Sequence, residues 1–183
     1  MTSIDKPQSG GQMNEPYTDS ENALSVESRI RRLVKDQLYG VLCTQSDGQP
    51  YGSMVAFAFT EDLKHVVFGT PRATKKYQIL TACSNVGLVV NNMNRHPNDL
   101  MKVEALTSTG MAHEITQLEV GARCAGLLAT RHPNLEAFFS SSSTALFKVE
   151  ITRFFFVRSF QEVTEWAPPP NATKPRPDPA SRA

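Results

Sequence analysis

Short segments with strand periodicity, joined by tight-turn sequences, predict an antiparallel β-barrel or β-sandwich with helices packed outside it. Three observations support this prediction. At least six segments have the two-residue alternation or compact apolar character of strands. Most of them follow one another through hairpin-sized connections. Only three segments have a helical period, and they do not alternate with the strands, which argues against a parallel sheet of βαβ units.

The first element is a predicted helix near residues 25–38, with Ser25 as N-cap and Gly40 as the stop signal. Its apolar residues share one face of a helix. They are Val26, Ile30, Leu33, Val34 and Leu38.

After this helix the period becomes that of strands. Segments 40–45 and 51–59 are separated by Ser46-Asp47-Gly48-Gln49, and Asp-Gly between two such runs is a strong hairpin signal. Gly110 is expected to bend a later strand. Further strands are predicted at 65–69, 86–92, 102–115, 144–154 and 155–166, and helices at 74–83 and 118–130.

The composition is that of a folded, nearly neutral protein. The 183-residue chain has 19 Lys and Arg against 18 Asp and Glu, and 40% of it is hydrophobic, which suits one domain with a real core and excludes full disorder. A generic DNA coat or a polybasic membrane binder would need a large excess of positive charge.

Several further features favour the cytoplasm. No apolar run reaches the roughly 18–20 residues of a membrane span, and the N-terminal sequence has no apolar secretory segment. The three cysteines are odd in number and far apart, which does not fit a disulfide framework. We therefore expect a cytoplasmic protein with no membrane partner.

Composition changes sharply at both ends of the chain. Residues 1–23 are polar and aperiodic, and residues 167–183 hold six of the twelve prolines. We expect a disordered N-terminal tail at 1–23, a folded domain at 24–166, and a proline-rich tail at 167–183.

The segment from Gly69 to Leu80 is the most informative for function. From Leu63 to Asn98 the sequence has no acidic residue, so its cations are unopposed locally: Lys64, Arg72, Lys75, Lys76 and Arg95. Three of them fall where a strand passes into the N-terminus of a helix, a place that disfavours cations. One explanation for cations at such an unfavourable position is that they serve a function.

A bound anion would compensate these charges. Backbone N–H groups at a helix start, the hydroxyls of Thr70 and Thr74, and the cations Arg72, Lys75 and Lys76 together suit a phosphate group. The alternative is a solvated basic turn in which Thr74 is only an N-cap.

The strand at 51–59 is the second candidate. Alternation places Gly52, Met54, Ala56 and Ala58 on one face. Small side chains would let a planar ligand approach the strand backbone, whose N–H and C=O groups could bind the edge of a heterocycle. The alternative, which these residues taken by themselves favour, is close packing of a helix on this face.

Other catalytic and metal signatures are missing from the sequence. The four histidines (His65, His96, His113 and His132) lack metal-ligand spacing, and no CxxC occurs, so we expect no metal site. Rossmann, P-loop and GxSxG sequences are also missing. A nucleic-acid partner is not expected, because only Tyr77 accompanies the basic residues.

Taken in order, these segments resemble the FMN-binding split-barrel superfamily, which includes pyridoxamine 5′-phosphate oxidase. The resemblance covers most of 25–166. The stretches GQPYGSMVAFAF and HVVFGTPRATKKYQIL, with an acidic turn between them, reproduce the family's order of strand, turn, strand, phosphate loop and helix. It implies a mainly β fold: a six-or-more-stranded antiparallel split β-barrel of the FMN-binding type.

The resemblance also implies a cofactor site. The family's phosphate-binding Ser/Thr-Arg-Lys is matched by Thr74-Lys75-Lys76, after the strand end at Gly69-Thr70. Its strand facing the isoalloxazine ring is matched by Ser53-Met54-Val55, and Asn92 lies where relatives approach the ring. In this family the flavin lies in a dimer cleft. A homodimer with FMN at the subunit interface and a small-molecule substrate is therefore implied.

The chain also departs from the oxidase. It has Ser53 where the oxidase carries Arg, Glu104-Ala105 where the oxidase has Arg-Gln, and no Arg-x-His segment after Trp166. The implied activity is therefore an FMN-dependent oxidoreductase with a different, unknown substrate and no identified catalytic acid or base. A haem carrier or a non-catalytic flavin-binding protein is the alternative. F420 also presents a phosphate and a tricyclic ring.

Overall fold

The computed structural model describes residues 24–169. The expected disordered tail at 1–23, and all but the first three residues of the proline-rich tail, lie outside that range. The strands are β1 (Tyr39–Ser46), β2 (Gln49–Phe59), β3 (His65–Pro71), β4 (Asn85–Asn91), β5 (Ala105–Glu114), β6 (Thr144–Arg158) and β7 (Glu162–Trp166). The helices are α1 (Val26–Asp36), α2 (Lys75–Ala82), α3 (Leu118–Arg131) and α4 (Glu136–Phe139).

All strand pairs are antiparallel, in the order β3-β2-β1-β4-β5-β6-β7. Strand β3 also pairs with β6, so six strands close into a barrel and β7 extends the sheet beyond it. The predicted mainly β, antiparallel barrel with flanking helices is confirmed. Strand β6 takes part in three pairings: its first half faces β3, its second half faces β7, and its other edge faces β5.

The core fills the barrel with aromatic and branched side chains. The largest of these are less than 2% exposed: Phe57, Phe68, Phe147, Phe154, Phe156, Ile30, Leu42 and Leu106. Phe68 stacks on Phe147 with ring centroids 5.6 Å apart. A second, smaller cluster joins Ala58 and Val67 to Leu128 of α3 and Phe139 of α4 on the outside of the barrel.

Helix α1 begins as predicted but ends differently. The Ser25 hydroxyl accepts a hydrogen bond from the Ser28 N–H at 3.2 Å, which confirms it as the N-cap. The predicted stop at Gly40 is wrong, because Gln37 is the C-cap and Gly40 lies within β1. A Cβ at Gly40 would lie 2.9 Å from the Val89 carbonyl oxygen, so the glycine permits close approach of β1 to β4.

The β1–β2 and β6–β7 hairpin turns differ in how clearly the sequence predicts them. Asp47 and Gly48 have φ angles of 51° and 79°, as a type I′ turn requires, so the predicted hairpin is confirmed. The predicted division between 154 and 155 is wrong, since β6 runs unbroken to Arg158. The real turn places Ser159 and Phe160 at φ 46° and 66°, a conformation usually taken by Gly or Asn.

Strand β5 is bent at Gly110, as expected. Its register against β6 shifts between Thr109 and Gly110. A Cβ at Gly110 would lie 2.1 Å from the Glu150 carbonyl oxygen, so only glycine fits this bulge. Within residues 24–169, no helix is long and apolar enough to cross a membrane.

Candidate functional site

Strands β2 and β3 separate soon after the turn that joins them. They pair only where Phe57–Phe59 meets Val66–Phe68. Beyond that point Gly69, Thr70 and Pro71 pair only with β6, which lies along the other edge of β3, while the first part of β2 pairs only with β1. One edge of β2 therefore faces a gap, which we call the split.

Helix α2 begins next to the split. The Thr74 hydroxyl caps it by accepting a hydrogen bond from the Tyr77 N–H at 3.3 Å, and it lies 3.1 Å from the hydroxyl of buried Thr70. The first turn contains no acidic residue. The N–H groups of Lys75 and Lys76 occupy the first two helical positions, which have no acceptor within a helix. This end of α2 therefore offers hydrogen-bond donors and a positive dipole to an anion.

Lys76 connects α2 to β2 across the split. Its Nζ donates a hydrogen bond to the Met54 carbonyl oxygen at 3.0 Å, and burial lowers the pKa of its ammonium group. In an antiparallel strand the N–H and C=O of one residue point to the same edge. The Met54 N–H therefore also faces the split.

Lys75 also reaches β2 from the start of α2. Its Nζ is 5.1 Å from the centroid of the Tyr51 ring, a cation–π distance. Neither Lys75 nor Lys76 forms an ion pair with any carboxylate in the described part of the chain. We call these two ammonium groups, with Thr70, Thr74 and the start of α2, the cradle.

Arg72 is a different case. The expectation that it is unopposed is wrong, because its guanidinium pairs with a Glu114 carboxylate oxygen at 2.5 Å. It also donates to the Tyr77 hydroxyl at 3.1 Å, and that hydroxyl donates to the second Glu114 oxygen at 3.1 Å. Glu114 is the last residue of β5. An acidic residue that is distant in the sequence therefore pairs with Arg72, although the segment around Arg72 contains no acidic residue itself. Arg95 is likewise paired, with Asp36 at 3.1 Å.

The small face of β2 is covered by a helix over one half of the strand and open over the other. The second half is covered by α3, whose Leu128 packs on Ala58. The first half is open: Gly52 is exposed and the Met54 side chain is 64% exposed. Alternate residues point inward, and the Ser53 hydroxyl there is buried without a hydrogen-bond partner in residues 24–169.

A shallow cleft of about 250 Å³ begins at Met54 and crosses the outer face of β2, β1 and β4. Val41 pairs with both Met54 and Val89, which places these three side chains in one row. The lining is neutral and consists of Gln37, Tyr39, Gly40, Val41, Met54, Val89, Asn91 and Asn94. Apolar walls with three carboxamides suit an uncharged ring with polar edges.

Asn92 does not line this cleft. It is buried, and its Oδ1 accepts a hydrogen bond from the Glu104 N–H at 2.8 Å, so it holds the chain before β5. Its neighbours Asn91 and Asn94 line the cleft instead. Sequence reasoning missed both, and also Tyr39, because a cleft formed by three strands leaves no local pattern.

One of the four histidines is fully enclosed by the fold. His132 is 2% exposed, and its Nε2 lies 3.0 Å from the Phe57 carbonyl oxygen, a contact that fits a structural residue. No group of three or more potential metal-ligating His, Cys, Asp or Glu side chains occurs among the described residues.

A family model described as pyridoxamine 5′-phosphate oxidase matches residues 26–158. No curated protein matches the sequence. Among solved structures, the chain is similar to a heme-binding protein from Mycobacterium smegmatis, with TM-score 0.70 and 14% identity over 79% of this chain and 58% of that one. The chain thus spans little more than half the length of that protein.

Two further solved structures have the same fold. HutZ, the heme storage protein of Vibrio cholerae, has TM-score 0.61 and 13% identity over 79% of this chain and 95% of its own. A FAD-binding protein from Mesorhizobium loti has TM-score 0.58 and 14% identity over 73% and 94%. At these identities the similarity establishes the fold, whereas the family match covers most of the chain. The closed antiparallel barrel and the match over residues 26–158 together show that the chain belongs to the pyridoxamine 5′-phosphate oxidase family of split-barrel proteins.

Proposed function

We propose that this protein binds FMN at the split and acts as an FMN-dependent oxidoreductase on a small-molecule substrate. The observation that carries the proposal is the position of Lys76. Its ammonium group lies between the start of α2 and the Met54 backbone, so one side chain adjoins both the anion-binding end of a helix and the open half of β2. A ligand with a phosphate at one end and a flat ring at the other suits this arrangement.

The cradle fits a phosphate dianion. Two ammonium groups lack carboxylate partners in residues 24–169, and two helix N–H groups have no intrahelical acceptor. Lys75, Lys76 and the Thr70 and Thr74 hydroxyls would hold the phosphate through charge-assisted hydrogen bonds. Arg72, paired with Glu114, would contribute from a distance rather than by direct contact.

The open half of β2 fits the ring. The stretch Ser53-Met54-Val55 would bind the ring edge through the Met54 N–H, which faces the split, and through the Ser53 hydroxyl, which is buried without a partner among the described residues. When bound, FMN supplies the electron-transfer chemistry. The chain's part would be to orient the ring and to exclude water from it. The neutral cleft next to Met54 favours an uncharged substrate group beside the ring.

We further propose that a second copy of the chain covers this face. Tyr39, Val41 and Met54 are 49%, 37% and 64% exposed on the outer face of the barrel. A contiguous apolar patch of this kind is typical of a protein interface. A homodimer would bury it and close the cleft over a bound ring.

The Lys75→Ala/Lys76→Ala variant tests the cradle. Each lost charge-assisted hydrogen bond removes about 1.5–3 kcal/mol, so we expect the FMN dissociation constant to rise about 100-fold or more. Riboflavin, which has the ring but no phosphate, should bind both proteins equally. Fluorescence titration measures both ligands.

The matched control is Lys35→Ala/Lys102→Ala, which removes two exposed lysines away from the split and should leave FMN affinity unchanged. Wild-type FMN affinity in the cradle variant would refute the site.

Haem binding is the second candidate. It is favoured by the loop after β4, where Met93, Leu100 and Met101 are about half exposed or more and His96 follows Asn94 of the cleft by two residues. A thioether-rich apolar surface with a nearby imidazole could hold an iron porphyrin. Haem would give a Soret band that His96→Ala weakens, whereas FMN would give near-ultraviolet and blue flavin bands that depend on Lys75 and Lys76.

A further inference from the structure

Asn91 lines the cleft at the point where β4 ends. It is the last residue of that strand and is exposed. Val89 precedes it by two residues, so both side chains leave the same face of the sheet. Val89 in turn lies in the apolar row that runs across the cleft to Met54. Asn91 therefore adds a polar group beside the apolar wall.

The Asn91 carboxamide is held in one orientation. Its Oδ1 accepts a hydrogen bond from the Met93 N–H at 3.0 Å. The amide atom that faces an N–H group has to be the oxygen, because the amide nitrogen is itself a donor. The Nδ2 group is therefore left to donate, and it has no hydrogen-bond partner within residues 24–169.

The other polar side chains of the cleft are not held in this way. They belong to Gln37, Tyr39 and Asn94, and none of them forms a side-chain hydrogen bond to another described residue. A carboxamide that can turn offers either its oxygen or its nitrogen, and a hydroxyl can donate or accept. Among the lining side chains, Asn91 alone has a fixed polarity, and it is fixed as a donor.

We propose that Asn91 is a specificity-determining residue and that the substrate is an uncharged compound that presents a carbonyl oxygen to it. A ketone, enone, quinone or lactone supplies the acceptor that the Nδ2 group lacks. A ligand with only an N–H donor at the same place would leave two donors facing each other, which costs affinity. This inference rests on the proposed function, because it takes the cleft to lie beside a bound flavin.

Coumarin and indole are a suitable pair of probes, since both are neutral, flat and bicyclic. Coumarin has a carbonyl acceptor and no donor, whereas indole has an N–H donor in place of a carbonyl. Asn91→Asp keeps an oxygen for the Met93 N–H and replaces the Nδ2 donor with a second acceptor. We expect the ratio of coumarin to indole affinity to fall about tenfold, because one hydrogen bond is lost and another is gained. Calorimetric titration of the full chain, with and without FMN, measures the ratio.

Asn94→Asp is the matched control. It adds the same charge to the same cleft at an exposed side chain that is not held. An exposed carboxylate is screened by water and salt, so the ratio should change by less than about threefold.

Equal changes in the two variants would show that charge alone shifts the ratio, and the inference would be wrong. It would also be wrong if Asn91→Asp left the ratio unchanged, or if wild type did not bind coumarin. If FMN loading abolished coumarin binding, the flavin ring itself would occupy the cleft, which also overturns the inference. Failure of the proposed function is seen separately, as wild-type FMN affinity in Lys75→Ala/Lys76→Ala, because the coumarin-to-indole ratio of the FMN-free protein does not depend on flavin.

Discussion

Two cationic regions of this barrel look alike in sequence and differ in their surroundings. At α1, Arg29 and Arg32 converge on the Glu104 carboxylate at 2.8 and 3.3 Å, and Arg29 and Glu104 are both buried. At α2, Lys75 and Lys76 have no carboxylate partner within the described residues. The cations of the first region are paired within the fold, and we propose that those of the second are available to a ligand.

The contrast separates cations that have a carboxylate partner from cations that have none among the described residues. Glu104 joins α1 to the chain just before β5. A buried, satisfied ion pair belongs to the scaffold, because removing one partner leaves an uncompensated buried charge. A desolvated lysine without a carboxylate adds little to the fold and is free to bind an anion. Each of the following predictions tests that difference.

Glu104→Gln should have the largest effect. Breaking a buried ion pair by removing one partner costs about 3–5 kcal/mol, and buried Arg29 would lose the carboxylate that lies 2.8 Å from its guanidinium. We expect the free energy of unfolding, measured in urea, to fall by about 3 kcal/mol, with FMN affinity unchanged in the folded protein. Glu119→Gln, at an exposed position of α3, should change stability by less than about 0.5 kcal/mol.

Lys76→Met should show the reverse pattern. It removes a half-buried ammonium and retains an apolar side chain, so the free energy of unfolding should stay constant or rise slightly. FMN affinity should fall about tenfold, the equivalent of about 1.4 kcal/mol. Calorimetric binding and thermal unfolding of the same preparation give both values. A destabilisation as large as that of Glu104→Gln would show that Lys76 stabilises the fold. It would contradict the distinction between the cationic regions at α1 and α2.

The pH dependence of binding should be the smallest effect. Burial lowers the pKa of Lys76 below its ordinary value of 10.5. A phosphate dianion binds the protonated form, so FMN affinity should fall as pH rises through this lowered pKa. Lys76→Arg should retain binding across the same range, because a guanidinium stays protonated. For the ligand-free protein the sign is opposite: a lowered folded-state pKa makes this group's contribution to stability increase with pH.

An affinity that falls only above pH 10.5 would show that the Lys76 ammonium is not desolvated at the split.

Much of the fold could be predicted because its signals are local. The Asp47-Gly48 turn, the Ser25 and Thr74 caps and the bend at Gly110 each depend on a few adjacent residues. The end of β6 could not be predicted, because its alternation continues through the phenylalanine run and its turn uses Ser159 and Phe160 in conformations they rarely adopt.

The candidate site could be predicted only in part, because only some of its features depend on adjacent residues. The sequence places Lys75 and Lys76 at a helix start, and the structure agrees. It could not show that Glu114 returns along β5 to Arg72, or that Asn91 rather than Asn92 lines the cleft. Such facts depend on which strands become neighbours and on strand register, and neither is encoded in a short segment.

The shared use of β6 has a mechanical consequence. Its first half closes the barrel through seven residue pairs with β3, and its second half holds β7 through five. The ring of six strands is therefore complete without β7. When the chain is pulled from its carboxyl end, tension reaches β7 first and can detach it while the barrel remains shut. We therefore expect two separate unfolding events under force. Strand β7 detaches first, and the six-stranded barrel opens afterwards.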